Sequence, residues 1–425
     1  MKYVFLFLAI NFLFAFTSLK HSDSSWFSNE SLRIDFYLAG NIKQELAILK
    51  DMKREPYWGG NPNSMIDKMN LGDYRICLYD TTGNLLYSKG FSSLFREWQT
   101  TSEAKLNLNR SFLHVMQVPL PKNKVVISVD GRKKDGIFQT LLKWKVNPDD
   151  YLIKKEGTSS YPVDTVLYSG PSSKNLDIAF IPEGYTTAQM GKFKADAKRI
   201  KDYIFKLQPF SEYRNNMNMY AIQSPSEESG ADIPGKHIYK KTLLDASWYT
   251  FDSERYLTVN NNEIMFNIAA QVPYDHVYVI VNSDVYGGSG FYNNYTCCTA
   301  GNQYSEQVAS HEFAHGLCGL ADEYFYDKDA IAYYYNLNKE PWEQNITTLV
   351  NFKSKWKGMV KAGTPVPTPR VGAYKSTLGA FEGGAYTAKG IFSPMMDCRM
   401  KTNSAPGLCP VCQAAARRVI DSYIK

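Results

Sequence analysis

The stretch His311-Glu312-Phe313-Ala314-His315-Gly316-Leu317-Cys318-Gly319-Leu320-Ala321-Asp322-Glu323-Tyr324 decides the reading of this chain. On an α-helix, residues four apart lie on one face, so His311 and His315 aim two imidazole nitrogens at one point. That spacing suits a divalent zinc ion, and Glu312 beside it is placed to take a proton from an attacking water. Two solvated surface histidines are the bland alternative, and the setting opposes it. Gln303 to Ser310, with Leu317, continues an amphipathic helix, Gly319 supplies a stop, and the acidic pair Asp322-Glu323 follows at once.

A catalytic zinc takes three protein ligands and leaves a fourth position open. The other histidines, His21, His114, His237 and His276, all lie upstream, so a carboxylate is the expected third ligand. Asp322 stands three residues beyond Gly319, the glycine-to-ligand spacing of the metzincin pattern with Asp in place of His. Three residues rather than two separate His315 from that glycine, which keeps Glu323 as the nearest competitor. A gluzincin-like arrangement, with Glu340 or Glu343 as ligand from a later helix, is the other hydrolase reading. Downstream, Ser393-Pro394-Met395-Met396-Asp397-Cys398-Arg399-Met400 offers Met396, or Met395, as the methionine of a tight turn beneath the histidines. Ordinary core packing is the alternative for that pair.

Upstream of the helix, Asp177 to Ile181, Asn218 to Gln223 and His276 to Val281 read as sheet strands, and Thr187 to Leu207 has helical periodicity. Gly288, Ser289 and Gly290 precede the metal helix and are candidates for a sheet edge that a substrate backbone joins as an added strand; a flexible turn serves equally. Before about residue 150 the pattern is strand-like: Leu32 to Leu38, Tyr74 to Tyr79, Phe112 to Met116 and Val125 to Val129 alternate apolar with polar. The expected fold is therefore α+β. An N-terminal antiparallel β-sandwich accessory domain spans 20–150, a linker 151–164, and a metzincin-like zinc metallopeptidase domain, a mixed sheet with an active-site helix, 165–425. Lys353 to Ala385 reads as loops around the cleft, and Pro410 to Tyr423 as a closing helix.

The run His311 to Tyr324, the segment Ser393 to Met400 and the strand-like Asn175-Leu176-Asp177-Ile178-Ala179-Phe180-Ile181-Pro182-Glu183-Gly184-Tyr185 together resemble the IgA peptidase family of bacterial secreted zinc metalloendopeptidases. The resemblance covers about residues 165 to 425, and the preceding β-rich region is similar to the N-terminal domain that accompanies the protease there. It implies one catalytic Zn2+ held by His311, His315 and Asp322, with Glu312 as general base. It also implies a protein or peptide substrate; host immunoglobulin and other glycoproteins are candidates, and the founding activity, cleavage of the immunoglobulin A heavy chain, does not transfer automatically. A reading from a different class is a surface protein that has lost catalysis and binds glycan or host protein; the intact ligand and base residues argue against it.

Residues 1–19 read as a signal peptide: Lys2 is followed by an apolar run from Val4 to Phe16 that is too short for the roughly 20 residues of a membrane span. The protein is expected to be exported, to the periplasm, surface or exterior of a bacterium, with no transmembrane span after signal removal. A net charge of +6 over 425 residues, with Arg132-Lys133-Lys134 the longest basic cluster near the N-terminal region, excludes a nucleic-acid surface. The seven cysteines are an odd number, and Cys297-Cys298 are too strained a pair to bond to each other. Cys409-Pro410-Val411-Cys412 lacks the setting of a redox motif; a structural disulfide or buried thiol pair that includes Cys398 is expected instead. Arg399 and several tyrosines are unranked candidates for an oxyanion donor.

Overall fold

The computed structural model describes residues 26–155, 160–326 and 335–425; the expected leader at 1–19 lies outside them. Seven strands come first: β1 (Phe27–Gly40), β2 (Glu45–Glu55), β3 (Tyr74–Tyr79), β4 (Leu85–Phe91), β5 (Arg110–Pro121), β6 (Val125–Arg132) and β7 (Phe138–Val146), with short helices α1 (Leu94–Trp98) and α2 (Ser102–Lys105) before β5. They form a three-stranded sheet, β2-β1-β5, and a four-stranded sheet, β4-β3-β6-β7. Every pairing is antiparallel. Leu32, Ile34, Phe36 and Leu38 on one face of β1 meet Ile76, Leu78, Ile127 and Val129 in one apolar core. Each such side chain contributes about 1.5–3 kcal/mol when fully buried. The opposite face of β1 carries Arg33 and Asp35, also fully buried, because that face docks on the second half of the chain.

The second half begins with β8 (Val163–Leu167), which starts two residues inside the stretch expected to be linker. It continues through β9 (Leu176–Glu183), α3 (Met190–Phe205), β10 (Met217–Ile222), the two-residue strands β11 (Ala246–Ser247) and β12 (Thr258–Val259), α4 (Asn262–Ala269), β13 (His276–Val281), β14 (Gly288–Gly290), β15 (Tyr295–Thr299), α5 (Ser305–Cys318), β16 (Phe381–Gly384), β17 (Thr387–Ser393) and α6 (Pro410–Ile424). Six strands make one mixed sheet in the order β14-β15-β13-β9-β10-β8. The inner four run parallel, and β14 and β8 are antiparallel edges. Strands β9 and β13 are buried at every residue, as parallel strands covered on both faces must be. Their alternation divides two cores: Ile178, Phe180, Tyr278 and Ile280 pack with α3, α5 and α6, while Ala179, Ile181, Val277 and Val279 pack with α4. Val115 of the N-terminal half joins the second of these cores.

Polar contacts fix the two halves together. Arg33 makes a bidentate pair with Asp35, at 2.7 and 2.8 Å, and donates its remaining arm to Asn267 Oδ1 of α4 at 2.7 Å. Tyr292 N donates to Ser92 Oγ at 2.8 Å, Asn293 Nδ2 to Gly90 O at 2.7 Å, and Trp342 Nε1 to Asp73 Oδ1 at 3.2 Å.

Candidate active site

Helix α5 buries Val308, Ala309, Phe313, Ala314 and Leu317 against the sheet, which leaves His311, Glu312 and His315 half-buried on the side facing the cleft. The helix ends at Gly319, whose φ of +62° is the left-handed conformation that closes a helix, with Gly319 N donating to His315 O at 2.9 Å. The chain then folds back over its own last turn. His315 Nδ1 donates to Leu320 O, and Asn345 clamps Ala321 on both sides, accepting from its N–H at 2.8 Å and donating to its carbonyl at 2.9 Å. Asp322 is held next, its carbonyl accepting from Ala385 N at 2.8 Å, while Glu323 N donates to Met400 O at 2.7 Å.

This turn brings three ligand atoms together. His311 Nε2 and His315 Nε2 are 3.0 Å apart, and Asp322 Oδ1 lies 3.0 and 3.2 Å from them. Ligand atoms about 2.0–2.1 Å from a tetrahedral zinc sit roughly 3.3 Å from one another, so this triangle fits one face of such a site. The donor chemistry agrees. His311 Nδ1 lies 2.9 Å from Arg399 O and His315 Nδ1 against Leu320 O; a carbonyl accepts, so each Nδ1 carries a proton and each Nε2 is the ring atom turned to the shared point. Burial works against charge on His315, but Asp322 and the carbonyl of Leu320 hold its pKa at about 9, while Asp322 is pulled well below the carboxylate range by the two imidazoles despite its own burial. Three donors that bid for a positive charge at one point are what a cation would neutralise. Burial also raises the carboxyl of Glu312 above its ordinary value, with the two histidines opposing.

The other sequence candidates separate clearly. Glu323 points away into a cluster with Cys398, Cys409 and Cys412. Glu340 accepts from Thr347 Oγ1, Thr348 N and Asn351 N, which makes it a loop clamp, and Glu343 accepts from Tyr335 OH at 2.7 Å. His114 stacks on Phe91 in the N-terminal aromatic core, and His276 sits in the sheet 2.8 Å from Thr296 Oγ1; burial lowers both to about 3. Met396 is only half-buried and Met395 packs at the margin of the protease core, whereas Met400 is fully buried. The part of that segment which reaches the histidines is the Arg399 carbonyl. The Arg399 guanidinium lines the cleft and donates to Asn403 O at 2.8 Å.

Gly288, Ser289 and Gly290 form the edge strand β14 beside the helix. Its glycines have a packing reason that spacing alone did not reveal. A Cβ on Gly288 would meet Glu312 Cγ at 2.7 Å, and one on Gly290 would meet Glu312 O at 2.3 Å and His315 Cβ at 2.7 Å. Only glycine lets this strand lie so close to the His311–His315 turn of α5. Tyr256 bridges to Gly288, covering that end of the edge.

Two contributions lay outside the sequence reading. The turn between β16 and β17 places Ala385 and Tyr386 at φ of +50° and +65°, a hairpin conformation that favours glycine or asparagine. Holding two other residues there costs about 1–3 kcal/mol each, and the strained turn aims Tyr386 OH at Asp322 Oδ2. The second is the N-terminal half itself. The cleft of about 870 Å³ over His311, Glu312 and His315 is walled on one side by Asp73, Glu97, Thr101 and Lys105. Glu97 accepts from Tyr256 OH, and burial pushes its carboxyl up to about 7 against that hydrogen bond. No local pattern announces either feature, since each depends on contacts between distant parts of the chain.

Residues 165–375 and 370–420 match the family described as IgA Peptidase M64, and residues 23–143 match the Peptidase M64 N-terminus. No curated protein matches the chain. The two matches leave residues 144–164 between them, where the fold changes from sandwich to mixed sheet, and the first includes the helix, the Asp322 turn and the Arg399 segment. The chain belongs to the IgA peptidase M64 family, and it is a peptidase with the N-terminal domain of that family ahead of its protease domain.

Proposed function

We propose that this peptidase is an exported zinc-dependent endopeptidase in which His311, His315 and Asp322 hold one catalytic ion and Glu312 is the general base. The observation that carries the reading is the convergence of the two Nε2 atoms and Asp322 Oδ1 within 3.2 Å of one another, with both Nδ1 atoms tied to carbonyls. When bound, zinc supplies a Lewis acid that lowers the pKa of water and stabilises negative charge on a carbonyl oxygen. Glu312 accepts the proton of the attacking water and returns it to the amine as the C–N bond breaks. Tyr386 holds the second oxygen of Asp322, which leaves Oδ1 oriented toward the histidines. The cleft wall from the N-terminal domain excludes bulk water on one side. Edge strand β14, Gly288 to Gly290, supports an extended peptide bound alongside α5, with Ser289 and Gly290 contributing backbone contacts beyond the end that Tyr256 covers.

Among the described residues no helix is long and apolar enough to cross a membrane. The family description makes immunoglobulin A one substrate to assay beside a mixed peptide library. Glu312→Gln tests the assignment: it is expected to bind zinc as the parent does and to lose peptide cleavage, whereas full turnover in that variant removes Glu312 from the role.

A further inference from the structure

A second group of ligating side chains lies behind the first, drawn from three separate parts of the chain. Glu323 directly follows Asp322, Cys398 directly precedes Arg399, and Cys409 and Cys412 are the cap and third residue of α6. One ligand atom from each of the four lies within 4.8 Å of the others. All four are shut off from solvent, at 0%, 1%, 4% and 0% exposure in that order.

The spacing of the sulfurs separates the possible chemistries. Cys398 Sγ and Cys412 Sγ are 3.8 Å apart. A disulfide holds its sulfurs about 2.05 Å apart, whereas two thiolates at about 2.3 Å from a tetrahedral zinc stand roughly 3.8 Å apart. The surrounding groups agree. Cys409 N donates to Cys398 Sγ at 3.2 Å, the kind of backbone contact that steadies a ligating thiolate. Glu323 Oε1 sits 3.0 Å from Cys412 Sγ and accepts from Asn345 Nδ2 at 3.1 Å, while its fully buried Oε2 has no partner. The ammonium of Lys401 is shielded from solvent without a hydrogen-bond partner and within electrostatic reach of Glu323 and Cys398. A dication with three thiolates and one carboxylate carries a net negative charge, which this buried cation would offset. Cys-x2-Cys at a helix start is a spacing that zinc sites use, and a sulfur-rich donor set selects soft borderline metals over calcium or magnesium.

We propose that Cys398, Cys409, Cys412 and Glu323 form a second metal site, structural rather than catalytic, that takes zinc. The site is closed: four protein ligands and no solvent leave no open position for a substrate. It ties together the turn that carries Asp322, the segment whose Arg399 carbonyl fixes His311, and the first turn of α6. Binding releases the thiol protons and oxidises nothing. The proposal does not depend on the catalytic assignment.

The test uses the full chain with the first site removed, as the double variant His311→Ala, His315→Ala, loaded with zinc, desalted and measured by elemental analysis and zinc X-ray absorption. The expected result is one retained equivalent of zinc with a sulfur shell at about 2.3 Å. Loss of all zinc, or zinc with nitrogen and oxygen neighbours only, overturns the proposal. So does an intact mass lighter by two hydrogens that maps to a bond among these cysteines. Cys412→Ser in the same background is expected to lose the sulfur-bound metal. Should that variant not fold, cobalt loading of the double variant keeps the question decidable, because thiolate-to-cobalt charge-transfer bands are expected and their absence counts against the site.

Discussion

Replacing Gly290 by alanine probes the contact on which the proposed catalytic geometry depends. The substitution adds one methyl group in a backbone conformation open to any residue, yet that Cβ would lie 2.3 Å from Glu312 O, 2.7 Å from His315 Cβ and 2.9 Å from Gly316 N. Two of those three atoms are backbone, so no flexible side chain can move aside, and β14 must retreat from α5 by about 1 Å. Overpacking of this kind costs about 1–3 kcal/mol, and for a chain of this size each kcal/mol lowers Tm by roughly 1–2 °C. A displacement of about 1 Å between catalytic groups and a bound peptide costs about a hundredfold in rate. Thermal unfolding and kcat/KM on a fluorogenic peptide read the two effects separately. Gly191→Ala on α3, where an added Cβ meets nothing within 4 Å, is the control and is expected to be neutral or slightly stabilising. If Gly290→Ala matches the parent in both Tm and kcat/KM, the close approach of strand and helix is refuted.

Tyr386→Phe removes the hydroxyl that holds Asp322 Oδ2 and is expected to weaken zinc binding about 10–100-fold in a chelator competition, with little change in Tm. Arg33→Ala leaves Asp35 and Glu55 buried without the Arg33 cation and removes the shorter of the two hydrogen bonds to Asn267 of α4; a loss of about 3–5 kcal/mol in denaturant unfolding is expected. Asp177 is raised to about 8 by burial and by the facing Asp275, so the folded state keeps a proton that the unfolded chain sheds near pH 4. That contribution is fully present below about pH 4 and is lost as pH rises toward 8. Asp177→Asn should therefore raise Tm over the parent at pH 8 and change it little at pH 4; equal effects at both would contradict the assignment.

The parts of the site that were legible in the sequence are those built from local geometry. His311 and His315 share a helix face, Gly319 turns the chain, and Asp322 falls within reach of both, all inside one short segment governed by helix period and left-handed backbone. Strands β9 and β13 were visible because both their faces are apolar. Strand β2 was not, since it exposes Leu46 and Ile48 and intersperses them with charge, so no clean alternation marks it. Tyr386 lies 64 residues from Asp322, and its role depends on a hairpin whose turn residues carry none of the usual glycine or asparagine signal. Met396 or Met395 was read as the methionine of a turn beneath the histidines, while the methionine of that segment that the fold buries fully is Met400. The cysteines were visible as a pattern; that they gather with Glu323 needed the fold. The same holds for the cleft wall, because pairing Glu97 with Tyr256 joins residues 159 positions apart.

The central claim is that His311, His315 and Asp322 grip one zinc ion. Anomalous diffraction at the zinc edge from crystals of the zinc-loaded protein measures it directly. The account expects a peak about 2.0–2.1 Å from His311 Nε2, His315 Nε2 and Asp322 Oδ1, and a structure with no peak there, or with Asp322 turned away from the metal, contradicts it.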